Sequence, residues 1–190
     1  MKIIHSFFVI IFIIILFSFK VSSKERWKLD KNLSKIFFEL PVLFANNVEG
    51  SFKEINGVIE IDLNTKKNNR AVFSVNINSI EMNYKKYKPL LLSEIFFDAD
   101  KYKMAIVDTK KFSYENESVT NLHVELQMKD VIAKVPIEIE VIRLAENLVE
   151  IKAEIIFSRK AFKIGKGKWS STAILKDQGK IKADLFLFKE

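Results

Sequence analysis

Two long segments of alternating apolar and polar residues most constrain what this chain can fold into. Over residues 131–141 every second residue is apolar, and the residues between them include one lysine and two glutamates. The pattern stops at residues 143–147 and resumes with the same period over residues 149–157. A period of two is that of a β-strand with one buried face. Two such strands joined by a short polar connection predict an antiparallel hairpin, whose apolar face the rest of the chain must cover.

The N-terminal residues form a separate segment. Residues 7–19 are a continuous apolar block with the length of the hydrophobic region of a signal peptide. Residues 21–23 then resemble a signal peptidase site, so we expect residues 1–23 to be removed. Residues 24–190 would then form one domain, in the periplasm or secreted. An uncleaved N-terminal anchor is the alternative, because the apolar block extends back to Ile3.

Composition and charge exclude several classes of protein. The chain has no cysteine, which excludes disulfides, thiolate chemistry and a lipid anchor on cysteine. Loss of residues 1–23 would remove two lysines and no acid, and would lower the net charge from +7 to +5. The lysines are scattered, with no arginine cluster or ladder of aromatic residues, which favours a solvated surface over a nucleic-acid site. Transient attraction to anionic lipid head groups is compatible with such a surface.

The rest of the chain repeats the alternation, with one interruption. Further strands are predicted at residues 36–42, 58–63, 71–77, 104–107, 120–128 and 181–187. Residues 55–57, Ile-Asn-Gly, are predicted to be a turn. Over residues 81–98 the apolar spacing becomes helical, which predicts one or two short helical turns that close an end of the β structure.

About eight strands with one helical insertion are typical of a β-sandwich or an up-and-down barrel. Closure is favoured because long apolar-faced strands with open edges would aggregate. A barrel of about eight strands has an interior that side chains fill, or that holds one small ligand. The sequence therefore predicts a single all-β domain.

Four groups of residues follow one another in a fixed order from Trp27 to the C-terminus. They are Trp27-x-Leu29-Asp30 with Ser34-x-Ile36-x-Phe38, then Val48-x-Gly50-x-Phe52 with Gly57-x-Ile59-x-Ile61-Asp62, then Ser79-Ile80 with Leu91-x-Ser93-x-x-Phe96-Phe97-Asp98-x-x-Lys101-Tyr102, and last Ser158-Arg159-x-x-Phe162-x-Ile164-Gly165. Together they resemble the YceI-like, polyisoprenoid-binding family. The resemblance implies an extended eight-stranded antiparallel β-barrel, lipocalin-like, with a short helical insertion. It also implies export to the periplasm and an elongated apolar cavity that holds an isoprenoid chain, such as a quinone tail or a polyprenyl lipid.

Several polar positions of that family differ here. Leu33 and Val42 stand where the family commonly has histidine, and residues 87–91 replace its Arg-Asp-x-His-Leu segment. The resemblance therefore implies the barrel but no quinone head-group site. Asp130 replaces a glycine usual before the hairpin. Arg159 is buried or paired in the family pattern, and we expect a partner such as Asp98.

Catalytic and metal sites are not predicted. After residue 23 only His123 remains, on the polar side of a strand, and one histidine without cysteine does not make a typical zinc site. A Ser-His-Asp triad would have to use it, yet no Gly-x-Ser-x-Gly elbow is present. The acidic pairs Glu138/Glu140 and Glu150/Glu154 share outward faces with lysines, which indicates solvated cross-strand pairs. We therefore expect no enzyme activity, cofactor or metal.

Inward-facing aromatic and aliphatic side chains are the candidate ligand-binding residues. The predicted cavity lining is Phe38, Leu40, Phe52, Phe73, Val75, Ile77, Phe96, Phe97, Leu126, Ile139, Ile155, Phe157, Phe162 and Trp169. Members of this set near chain connections are expected at the cavity mouth or as plugs of a barrel end; these are Phe96, Phe97, Phe162 and Trp169. The alternative is that these side chains are ordinary core residues, which need no ligand.

Two functions fit these observations. The first is an exported protein that stores or carries a long isoprenoid or acyl chain in its barrel without chemistry, as a monomer or a homodimer. Each buried methylene would favour such a cavity by about 0.8 kcal/mol. The second is an envelope structural or stress protein with a filled barrel that contacts a membrane or a protein partner. The two functions differ in whether the barrel has an open cavity. An enzyme on this scaffold is a third class, and no predicted catalytic residues support it.

Overall fold

The chain folds into eleven strands over the residues that the structure describes. The structure is a computed structural model that describes residues 25–42, 47–114 and 120–190, so the predicted signal peptide lies outside the described residues. The strands are β1 (Glu25–Leu29), β2 (Lys35–Leu40), β3 (Val48–Phe52), β4 (Ile55–Ile61), β5 (Arg70–Asn76), β6 (Ile80–Met82), β7 (Met104–Asp108), β8 (Thr120–Met128), β9 (Val131–Ala145), β10 (Leu148–Ser158) and β11 (Gln178–Lys189).

Antiparallel pairing runs round the barrel in the order β1, β4, β5, β7, β8, β9, β10 and β11, and β11 pairs back to β1. Short bends separate β1 from β2, β3 from β4 and β5 from β6. Past these bends, β2 pairs with the N-terminal half of β11, and β3 and β6 follow it. The barrel is thereby extended at one end. The predicted eight-stranded antiparallel barrel with one short helix is confirmed.

Helical segments are short and lie at one end of the barrel or beside it. A 3-10 turn, Lys85–Tyr87, leads directly into the helix α1 (Lys88–Leu92), and further 3-10 turns are Ile77–Ser79 and Gly167–Ser170. Pro89 is accommodated in the first turn of α1, where the missing N–H would have no partner in any case. This is the helical insertion that the change of spacing predicted. Among the described residues, no helix has both the length and the apolar character needed to cross a membrane.

The hairpin of β9 and β10 has the predicted form. Its ladder joins Ile137 to Ile155 at one end and Ala145 to Leu148 at the other, with an irregularity between Leu148 and Val149. Because β9 extends to Ala145, the connection is shorter than the polar stretch had indicated. The outward Glu154 forms ion pairs with lysines of the neighbouring β11, at 3.2 and 3.9 Å. These contacts support solvated cross-strand pairs on the outer face.

Residues 55–57 do not form the predicted turn. Gly57 lies within β4 directly opposite Phe73 of β5, and the chain bends at Lys53 and Glu54 instead. A Cβ atom on Gly57 would lie 2.7 Å from Cδ1 of Phe73. The prediction was wrong because the glycine makes room for a ring on the next strand rather than for a reversal of the chain.

Asp108, at the end of β7, ties that strand to its neighbours. Its carboxylate accepts hydrogen bonds from Nη2 of Arg70 at 3.1 Å, from the backbone N–H of Lys110 at 2.8 Å and from Lys110 Nζ at 3.1 Å. Burial raises the pKa of Asp108, but the hydrogen bonds from Arg70 and Lys110 outweigh it and lower the pKa to about 2.

Asp108→Asn is therefore expected to lower the free energy of unfolding by about 2 kcal/mol at neutral pH. Because the pKa is lower in the folded protein, the carboxylate stabilises the fold above the unfolded value of 3.8. This contribution is lost as the pH falls from there toward 2. Urea unfolding of the two proteins from neutral pH down to about pH 2 should show their stabilities converge. Asp100→Asn, at an exposed turn position, should leave stability unchanged, and a difference for Asp108→Asn that persists at low pH would contradict this account.

Candidate functional site

An apolar cavity occupies the interior of the barrel. Its volume is about 100 Å³, and inward faces of strands all round the barrel line it. It reaches from Leu40, near the end that α1 closes, to Phe112, near the opposite end. The predicted site residues that line it are Phe38, Leu40, Phe52, Phe73, Val75, Ile77, Phe97, Leu126, Ile139, Ile155 and Phe157. Their part in binding a ligand stays a prediction.

Small side chains make room inside the barrel. Alanines line the cavity at four inward strand positions, which are Ala71, Ala105, Ala153 and Ala183. Ala153 lies opposite Ala183 on β11 and opposite Ile139 on β9. Sequence reasoning missed these residues because an alanine within an alternating segment resembles any other core residue. Their meeting depends on strand register, which the sequence pattern does not specify.

The cavity lining is almost entirely apolar. Its polar members are Ser74 and Thr109. The Thr109 hydroxyl donates to the carbonyl of Lys110 at 2.9 Å and accepts from the N–H of Ala71 at 2.9 Å, so it is already satisfied. Among residues 25–42, 47–114 and 120–190, no group of three or more His, Cys, Asp or Glu residues is placed to hold a metal ion. Such an interior suits an apolar molecule.

A second cleft, of about 300 Å³, lies at the end of the barrel that α1 closes. We call this the helix end; residues 83–103 and the β10–β11 connection, residues 159–177, form it. Phe96 and Trp169 line the cleft, with their rings edge to face and 5.8 Å between centroids. Leu40 lines both the cleft and the cavity, and Phe97, next to Phe96, lines the cavity. The two spaces are therefore separated by a single layer of side chains.

Phe162 lines neither space. It is completely buried and packs edge to face on Phe157, with 5.8 Å between ring centroids. Phe162 therefore packs in the core within the β10–β11 connection, and its role as a plug of the barrel end stays a prediction.

Arg159 holds the β10–β11 connection together. Its buried guanidinium donates to five backbone carbonyl oxygens at 2.7–3.4 Å, those of Ile164, Ser170, Ser171, Leu175 and Lys176. The expected partner Asp98 was wrong, because converging loop carbonyls take the place of a carboxylate. Burial lowers the pKa of Arg159, while the charge of Asp177 raises it.

Lys129 joins the β8–β9 turn to the helix end. Its backbone adopts a positive φ of 57°, and its buried Nζ donates to the carbonyls of Phe96 at 2.9 Å and Lys163 at 3.2 Å. Burial lowers the pKa of Lys129, and the nearby charge of Lys166 lowers it further. The adjacent Asp130 forms an exposed ion pair with Lys163 at 2.8 Å. The cleft is thus built on loops that buried cations fix in place.

Comparison with known proteins decides the family. The family model described as a YceI-like domain matches residues 27–187. The chain belongs to the YceI-like family.

Solved structures support the same fold for this YceI-like protein. The crystal structure of BcnA from Burkholderia cenocepacia has a TM-score of 0.77 at 21% identity, and the match covers 84% of this chain and 99% of BcnA. A polyisoprenoid binding domain from Saccharophagus degradans, implicated in plant cell wall breakdown, has a TM-score of 0.66 at 12% identity, with 86% and 98% covered. The Campylobacter jejuni YCEI protein has a TM-score of 0.68 at 21% identity, with 79% and 89% covered. No curated protein matches the chain.

The positions at which the resemblance leads one to expect other residues fall in different places. Leu33 is half exposed in the bend after β1 and does not line the cleft. Val42 lines the cleft and forms a β-bridge with Leu175. Tyr87 and Leu90, from the second altered segment, also line the cleft. The helix end is thus apolar at positions where the resemblance leads one to expect polar groups. His123 is exposed on the outer face of β8, as expected.

Proposed function

We propose that this YceI-like protein binds a long isoprenoid or acyl chain inside its barrel, and stores or carries it without chemistry. The observation that carries the proposal is the elongated cavity, whose lining offers apolar side chains apart from Ser74 and Thr109. Transfer of each methylene from water into such an interior contributes about 0.8 kcal/mol. A long chain therefore gains affinity from its length alone, with no head-group contact.

The structural likeness supports the class of ligand. One of the similar structures is a polyisoprenoid binding domain, and it shares this fold along nearly all of its length. We extend that ligand class to this chain because its barrel interior is a space without charged groups, which suits an apolar chain. Export, on the N-terminal pattern of residues 1–23, belongs to the same proposal, since an exported carrier would meet envelope lipids.

The volume of the cavity limits the kind of ligand. A volume of about 100 Å³ is small for a whole prenyl chain, so side chains must turn aside as the ligand enters. Phe73 and Phe112, which line the cavity, are only half-buried and are the least constrained of its rings. A slender, flexible chain can enter by such stepwise displacement, whereas a rigid ring system cannot.

The small volume also favours the second candidate function. In that case the barrel is a filled scaffold, and the protein is an envelope structural or stress protein that contacts a membrane or another protein. The two candidates differ in whether the interior takes up a ligand.

Native mass spectrometry of the full-length gene product, purified from its own envelope without detergent, tests the proposal. We expect a stoichiometric adduct that extracts into organic solvent as a prenyl or acyl lipid. The same mass measures whether residues 1–23 have been removed. A bare protein that stays bare after incubation with quinone, polyprenyl and fatty-acyl lipids would contradict the carrier function and favour the filled scaffold.

A further inference from the structure

The helix end carries unpaired positive charge on both walls of its cleft. Segments 83–92 and 164–176 supply seven of the twelve residues that line the cleft, and together they contain six lysines and no acidic residue. The remainder of the helix end, residues 93–103, 159–163 and 177, adds five basic and four acidic residues. Five of the six lysines flank the cleft residues Tyr87 and Trp169 in sequence. None of these five forms an ion pair with any described residue; they are Lys85, Lys86, Lys88, Lys166 and Lys168.

Amphipathic aromatic rings accompany these lysines. Nζ of Lys86 lies 5.0 Å from the centroid of the Tyr87 ring, and Nζ of Lys168 lies 5.6 Å from that of Trp169. Tyr87 is 41% exposed, and Ile174, on the same connection as Trp169, is 42% exposed. Tyrosine and tryptophan with lysines around an apolar centre are the residues that suit the boundary between lipid tails and head groups.

We propose that the helix end docks on the surface of an anionic lipid bilayer. Tyr87, Trp169 and Ile174 enter the head-group layer, while the five lysines contact lipid phosphates. This orientation places the cleft, and behind it the layer around Leu40, directly over the lipid chains. The inference rests on the proposed function in one respect, that the bilayer is the source of the bound chain. Docking itself needs no occupied cavity.

Charge complementarity selects an anionic surface over a neutral one. A lysine near an anionic leaflet strengthens attachment by about fivefold. Two lysines reversed to glutamate should therefore weaken attachment by at least about thirtyfold. The attraction falls off within a Debye length, so added salt should release the protein.

Flotation of the full-length protein with vesicles of equal parts phosphatidylcholine and phosphatidylglycerol tests the docking. The variant K166E/K168E should lose attachment, whereas the matched control K67E/K111E should retain it. The control makes the same change in net charge with two exposed lysines on connections at the opposite end of the barrel. Equal loss in both variants, or equal attachment to pure phosphatidylcholine, would overturn the proposal.

Tryptophan fluorescence reports the orientation independently. Trp27 is buried, and its indole N–H has no hydrogen-bond partner among the described residues, so Trp27→Phe removes no hydrogen bond and leaves Trp169 as the reporter. On anionic vesicles we expect the Trp169 emission to shift to shorter wavelength. An unshifted emission from vesicle-bound protein would show that another surface faces the bilayer and would overturn the proposal.

Failure of the docking and failure of the carrier function give different results. If K166E/K168E alters nothing in flotation while the lipid adduct is present in native mass spectra, the docking is wrong and the carrier function stands. If flotation depends on Lys166 and Lys168 but no lipid adduct forms under any condition, the docking stands and the carrier function is wrong.

Discussion

Arg159→Met is expected to lower the free energy of unfolding by about 3–5 kcal/mol. The guanidinium of Arg159 is completely buried and satisfies five backbone carbonyl oxygens of one connection. Methionine fills much of the space but donates no hydrogen bond, so these carbonyls would be left without their donor. Buried acceptors that lose their donor cost about 1–3 kcal/mol each, less whatever water recovers. Urea unfolding followed by circular dichroism measures the loss.

Two further variants separate the hydrogen bonds from the charge. Arg159→Lys keeps the positive charge, but one ammonium group cannot span carbonyls that the planar guanidinium reaches together. We expect it to recover less than half of the lost stability. Arg143→Met, at an exposed position near the end of β9, should change stability by less than about 0.5 kcal/mol. Arg159→Lys with full stability would mean that charge rather than hydrogen-bond geometry holds the connection.

Loss of Arg159 should also change the functional site. The carbonyls that it binds include those of Ser170 and Ser171, next to Trp169 in the wall of the cleft. A loosened connection would expose Trp169 to water, and its fluorescence should shift to longer wavelength before global unfolding. This links Arg159, part of the Ser158-Arg159 pattern on which the resemblance rests, to the shape of the cleft rather than to contact with a ligand.

The barrel could be predicted from the sequence because each of its strands has one solvent-exposed and one buried face. Alternation alone located β9 and β10, and the change of period located the helical insertion around α1. Gly57 shows that the pattern within one strand does not predict contacts between paired strands. The Asn-Gly pair has the composition of a turn, and only the register between β4 and β5 reveals that Phe73 occupies the space above it.

The candidate site could be predicted in part, for the same reason. Large inward side chains such as Phe38 and Phe157 follow from the alternation. The free space depends on Ala153 meeting Ala183, which is a property of paired strands and not of either one. The partners of Arg159 could not be predicted at all, because backbone carbonyls of an irregular connection have no signature in the sequence.

Ala183→Phe is expected to abolish lipid uptake while the protein remains folded. Ala183 lines the cavity and lies opposite Ala153 on β10, so two small side chains meet there. A phenyl ring there would exclude about four methylenes of a bound chain, which at about 0.8 kcal/mol each amounts to a loss of at least about a hundredfold in affinity. Titration with a fluorescent long-chain fatty acid, together with native mass spectrometry of the purified variant, measures the loss.

The stability of the same variant decides between an open and a filled barrel. In an open cavity the new ring occupies free space, so the free energy of unfolding should stay within about 1 kcal/mol of the original. In a filled barrel it would overpack the core, at a cost of about 1–3 kcal/mol. Lys182→Phe, at the outward-facing position next to Ala183, adds the same ring outside the cavity and should leave both lipid binding and stability nearly unchanged. Destabilisation by Ala183→Phe in a protein that takes up no lipid would identify the filled scaffold. Lost uptake with preserved stability would identify the carrier.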